Sequence, residues 1–237
     1  MKHALVFSTA AILCLSSAQS ADLDDCTQSF HPALAIEACT AELRRHGLNA
    51  EQSAMILNNR GSAHSLLRNA EQALGDFDTA IELNPFYAKA YYNRAVTYLA
   101  MKRHVLALAD LNRAIELDPA YMAAFHNRGY LHEKEGRYVL AIADFSAAIR
   151  LDPTIKQSFN NRGVAYKKQG EWAHAIVDFT AAITLDDGYL KAYLHRAECN
   201  EMLGRFDAAI ADYRRVIALD PSTDTAKKRL QQLGGLK

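Results

Sequence analysis

Tryptophan occurs once, proline five times and cysteine four times, and neither sign of charge prevails: 27 Lys and Arg stand against 27 Asp and Glu. That balance excludes the basic stripe expected of a nucleic-acid binder and the polybasic cluster that holds a chain on an anionic membrane. The apolar run Ala4–Leu15 has about a dozen residues, too few to span a bilayer. Signs of chemistry are equally thin. There is no Ser nucleophile elbow, no Cys-x-x-Cys pair and no Gly-rich phosphate loop. His132-Glu133 lacks the second His that a zinc helix carries four residues on, and His126 and His132, six residues apart, would point to different faces. These absences argue against an enzyme, a metal and a cofactor.

What is present is a period. Asn59-Arg60, Asn93-Arg94, Asn127-Arg128 and Asn161-Arg162 recur every 34 residues, and His195-Arg196 continues the series. Blocks starting at Ala54, Ala88, Met122, Lys156 and Leu190 align further positions. The eighth reads Gly61, Ala95, Gly129, Gly163, Ala197, and the twenty-fourth Phe77, Leu111, Phe145, Phe179, Tyr213. Between them the twentieth is always Ala, from Ala73 to Ala209. The blocks close on Pro85, Pro119, Pro153 and Pro221, with Asp187 in the fourth. Apolar and small residues at three- and four-residue spacing mark helical faces. Gly136, Gly170 and Gly204 mark turns where left-handed torsions are cheap, and each closing proline ends a helix.

This pattern, from Ala54 to Pro221, resembles the tetratricopeptide repeat (TPR), a helix–turn–helix unit of 34 residues. Its usual Trp at the fourth position is here Leu57, Tyr91, Phe125, Phe159 or Tyr193, still a large apolar plug. The resemblance implies an all-α, right-handed superhelical solenoid of five units: 54–87, 88–121, 122–155, 156–189 and 190–223. Residues 224–237 read as a C-terminal capping helix, with Ala226, Leu230 and Leu233 at helical spacing.

Residues 1–20 have the makeup of a secretory signal peptide: Lys2, the apolar run, then Ser16–Ser20 with small residues before the cut. An exported chain, as in a bacterial periplasm, is the expectation, and cleavage would leave the charge balance almost unchanged. Residues 21–53 read as a degenerate N-terminal hairpin with a helix over Ala33–Arg45. Ala35–Cys39 echoes Ala141–Phe145, so Cys39 falls where other units carry an aromatic. A Cys26–Cys39 disulfide is expected there, worth on the order of 3 kcal/mol. Cys199, without a near partner in sequence, reads as a small core residue.

One charged pair recurs in every unit: Arg60/Asp76, Arg94/Asp110, Arg128/Asp144, Arg162/Asp178 and Arg196/Asp212. Antiparallel helices would bring each pair into bidentate contact as a structural ion pair. The other reading points the arginines into a groove to meet acidic ligands. In grooves of this family the first helices face inward. Here that face would show Met55, Tyr92, Val96 and Leu99 early, then His126, Glu133, Lys134, Lys167, Glu198 and Glu201. Asn59, Asn93, Asn127 and Asn161 would line its floor, and each amide can meet a peptide N–H and C=O together. Specificity would fall to Tyr92, Tyr130, Lys168 and Lys191. The row resembles an asparagine ladder more than a carboxylate clamp, since His195, His126 and Tyr130 replace clamp residues. The expected role is a scaffold binding an extended protein or peptide segment, with homo-oligomerisation into a structural envelope protein as the alternative.

Overall fold

Four of the five closing dipeptides work as a helix stop by making an Asx turn. Asn84 Oδ1 accepts the Phe86 N–H at 3.1 Å, and Asp152, Asp186 and Asp220 accept from Thr154, Gly188 and Ser222 at 2.9, 3.0 and 2.9 Å. The turn therefore survives in the fourth repeat, where Asp187 replaces proline. The tight link inside each hairpin has the same regularity. Gly136, Gly170 and Gly204 have φ of 72°, 79° and 69°, and in the first two repeats Arg68 and Lys102 take φ of 61° and 58°. A left-handed residue thus recurs at this position in every repeat, although only three of the five are glycine.

These stops delimit the helices of the computed structural model, which describes Cys26 and residues 31–234. The signal-peptide expectation for 1–20 lies outside the described residues. Among the described residues the fold is all-α: α1 (Pro32–Leu43), α2 (Ala50–Leu66), α3 (Ala70–Leu83), α4 (Ala88–Ala100), α5 (His104–Leu117), α6 (Met122–Lys134), α7 (Tyr138–Leu151), α8 (Lys156–Lys168), α9 (Trp172–Leu185), α10 (Leu190–Met202), α11 (Phe206–Leu219) and α12 (Asp224–Gln232). Helix α1 starts one residue earlier than expected, with Pro32 in its first turn, and ends at Leu43 with Arg44 as its cap.

The chain divides into two compact units, Met1–Asp118 and Pro119–Lys237. In the first, α2 packs on α3 and α4 on α5, with α1 against α2. In the second, three hairpins, α6–α7, α8–α9 and α10–α11, follow one another and α12 lies on α11. In three hairpins a phenylalanine of the second helix lies against a glycine of the first. A methyl at Gly61 would stand 2.8 Å from Phe77 Cε1, and one at Gly163 2.8 Å from Phe179 Cε1. Phe77, Leu111, Phe145, Phe179 and Tyr213 are all fully buried. Ala226 and Leu230 of α12 complete the last cluster, covering Ala197, Tyr213 and Val216. At the other end Cys26 and Cys39 form a disulfide packed with Ile56.

Candidate interaction surface

Arginine at the seventh position of each repeat meets the aspartate 16 residues later. Arg60 grips Asp76, Arg94 grips Asp110, Arg128 grips Asp144, Arg162 grips Asp178 and Arg196 grips Asp212. In all five, Nε donates to Oδ2 and Nη2 to Oδ1, at 2.6–2.9 Å. The aspartates are buried, from Asp76 in the first repeat to Asp212 in the fifth, so the guanidinium forks turn into the hairpins and away from the inner side. That geometry opposes the reading in which the arginines meet acidic ligands. From Arg94 onward the arginines also lie over the plug rings of their own helices, as Arg128 does over Phe125 at 5.5 Å. Hydrogen bonding to Asp110 raises the Arg94 pKa further, so this guanidinium stays charged at any working pH. The sequence reading missed where the third guanidinium nitrogen goes. Arg94 Nη1 donates to Asp78 at 2.7 Å, Arg162 Nη1 to Ser146 at 2.9 Å and Arg196 Nη1 to Thr180 at 3.0 Å, each on the preceding hairpin. A short polar residue just after the buried aromatic was the available signal.

In the second unit α6 touches α8 and α8 touches α10, so the first helices crowd along one side. That inner side carries two hollows. One, of about 380 Å³, lies among Tyr130, Asn160, Asn161, Val164, Lys191 and Leu194. The other, of about 460 Å³, lies among Lys168, Trp172, Met202 and Arg229. Between them a charged bridge crosses from α8 to α10: the Lys167 ammonium contacts Glu198 Oε2 at 2.5 Å and His195 Nδ1 at 3.1 Å. Bonding to His195, followed by Lys167, holds the Glu198 carboxyl down to about 2 against the cost of burial. Glu201 is fixed as firmly, by the Tyr213 hydroxyl and by Arg229 of α12. Behind this wall the buried Cys199 thiol is pushed up to about 12 by desolvation and is inert as a nucleophile.

The asparagines are engaged laterally between repeats. Asn93 Nδ2 donates to Asn58 Oδ1 at 2.8 Å and to Ser62 Oγ at 3.1 Å, which uses both its hydrogens. Asn161 Nδ2 meets His126 Nε2 at 3.5 Å, while its Oδ1 accepts from Asn160 at 3.2 Å. Asn59 Oδ1 accepts from Asn58 at 3.4 Å, and Asn127 holds the same position on α6. His126, whose other nitrogen meets Ser158 Oγ at 2.9 Å, is kept neutral by desolvation. Asn160 Oδ1 is buried without a hydrogen-bond partner among the described residues. Tyr130 is exposed, with Lys134 over its ring at 5.0 Å. In the first unit Asn93 borders a separate hollow with Ser62, Leu66 and Val96, and Tyr92 lies on the same helix. Groups of three or more potential metal ligands are absent among the described residues.

Residues 88–121 and 190–223 match one tetratricopeptide-repeat family profile and 122–155 a second, so these three segments are tetratricopeptide repeats. No curated protein matches the chain. Among solved structures, YrrB, described as a TPR protein with an unusual peptide-binding site, shares 20% identity at a TM-score of 0.72, over 83% of this chain and 99% of its own. MamA from Desulfovibrio magneticus RS-1 shares 19% at 0.67, over 73% of this chain and 97% of its own. At such identity the likeness carries the fold alone.

Proposed function

We propose that the chain is a protein-interaction scaffold and that the inner side of its second unit holds an extended segment of a partner protein. The observation that carries this reading is where uncommitted polar groups remain. The ion pairs and the Lys167 bridge take up the neighbouring charges, whereas Asn160 and the Lys191 ammonium border the smaller hollow, the ammonium exposed and without an ion-pair partner among the described residues. Asn161 keeps one N–H and one lone pair beside them, enough for one peptide unit. Tyr130 offers an exposed ring on the same hollow. In the first unit, Asn59 and the Asn93 carbonyl would meet the segment near Tyr92, and Asn127 holds the equivalent position in the second unit. YrrB, with the same fold and a peptide-binding site, supports this use of the architecture. The repeated pairs, from Arg60–Asp76 to Arg196–Asp212, serve the fold and not the ligand, because each guanidinium fork is taken up by a buried carboxylate of its own hairpin. The Cys26–Cys39 bond supports an oxidising compartment such as a bacterial periplasm, and among the described residues no helix is long and apolar enough to cross a membrane.

Selection of binders from a display library of random peptides tests this. A variant combining Asn161→Ala and Lys191→Gln should keep its melting temperature and bind the selected peptides about tenfold more weakly, a loss of about 1.4 kcal/mol. Unchanged affinity would move the site to the outer helices. There, Val139 and Val177 are 69% and 66% exposed, which favours self-association as the second reading. Sedimentation velocity over a range of concentrations checks that reading, which requires mass to rise with concentration.

A further inference from the structure

The larger hollow of the second unit is asymmetric in charge. Two carboxylates and three cations border it, and four of the five are locked in pairs: Lys167 with Glu198, and Arg229 with Glu201. Lys168 remains. It is the last residue of α8, exposed, and no carboxylate among the described residues lies within ion-pairing distance. The Glu198 carboxyl, held far below its ordinary range, cannot release Lys167 near neutrality, so the surplus stays on Lys168. Beside it are two apolar groups of unusual softness. Met202 is 62% exposed at the end of α10, and Trp172, the single tryptophan of the chain, opens α9 half-buried with one side in the hollow.

We propose that this hollow is a specificity subsite for an acidic residue next to an aromatic or large aliphatic one in the partner segment. The carboxylate would pair with Lys168, and the apolar neighbour would lie on the Trp172 indole and the Met202 thioether, a favourable sulfur–aromatic environment. The proposal rests on the groove reading and deepens it. The smaller hollow would hold backbone, whereas this one reads sequence. Complementary charge here chooses among partners more than it adds affinity, and its contribution weakens with salt. A basic segment would meet the one unpaired charge of the hollow, on Lys168, with the wrong sign, so it would be disfavoured.

The same peptide selection, run on the full chain, provides the test. Selected sequences should be enriched in Asp or Glu beside Phe, Tyr, Trp or Leu. A labelled copy of the most enriched peptide should bind Lys168→Gln at least fivefold more weakly and lose most of its salt dependence. Lys168→Glu should bind that peptide least, and should recover affinity when the peptide's acid is changed to Lys. Met202→Ser, at an exposed site that leaves the fold alone, should weaken binding of aromatic-containing peptides only. Neutral or basic consensus sequences, or equal affinity for Lys168→Gln, would overturn the subsite. If in that case the Asn161→Ala and Lys191→Gln variant still loses binding, the groove reading survives without it. Failure to recover any peptide overturns both.

Discussion

Asp144 accepts both nitrogens of Arg128 in a nearly dry site, with His132 Nε2 a further 3.7 Å away. Removing the carboxylate strands a guanidinium that cannot lose its proton, so Asp144→Ala should cost about 3 kcal/mol. Denaturant unfolding measures this, and affinity for selected peptides should be unaffected in the folded variant. Glu198 behaves differently because it is partly exposed. Its pKa is lowered in the fold, so its contribution is full above the ordinary carboxylate range and fades as pH falls from about 4.5 towards about 2. The stability gap between the protein and Glu198→Gln should therefore shrink over that window, and a gap constant with pH would show that the bridge is idle. The Arg–Asp pairing was legible in the sequence because both residues recur at one spacing, from Asp76 to Asp212. The Lys167 bridge was not, because His195 and Glu198 occur in a single repeat and only the fold brings Lys167 to them. The asparagines were legible as a row, but not their lateral bonds, which depend on neighbours such as Asn58 and His126 that differ from repeat to repeat.

Helix pairs are matched by volume inside each hairpin. Glycine stands opposite phenylalanine in three of them, and Ala95 opposite the slimmer Leu111. The fifth, Ala197 with Tyr213, combines the larger residue on both sides, and nothing in the structure accounts for it. Gly163→Ala gains about 1 kcal/mol of helix propensity but drives a methyl into the buried Phe179 ring, an overpacking cost of about 1–3 kcal/mol. A net loss is expected. Adding Phe179→Leu should return part of it, so a double-mutant cycle should show a favourable coupling. Additive effects would mean that the helices separate without resistance. Hairpin boundaries were readable from proline, yet the recurrent left-handed residue was only half visible. Arg68 and Lys102 adopt it without the glycine that signals it elsewhere, because the hairpin link imposes the torsion regardless of side chain.

At the scale of the molecule, ends decide solubility. Helix α12 seals the last hairpin with Ala226 and Leu230 and fixes Glu201 through Arg229. Deleting residues 224–237 should uncover Tyr213 and Val216, lower the melting temperature and raise light scattering; a deletion variant as soluble as the whole would refute the capping role. Stacked repeats of this kind stand or fall by how strongly neighbours are coupled, and the third guanidinium nitrogen supplies a coupling of unusual economy. Arg162 closes its own hairpin on Asp178 and at the same time holds Ser146 of the hairpin before it. One side chain therefore ties two otherwise separable equilibria, and opening either hairpin alone must break a bond to the other. Amides of α7 and of α8–α9 should exchange with solvent hydrogen at one common free energy. Arg162→Lys, which puts a single point of attachment in place of a fork, should split them into two populations with α8–α9 opening first. The arginine row would then be a transmission line for local unfolding, setting how many repeats open together when one gives way.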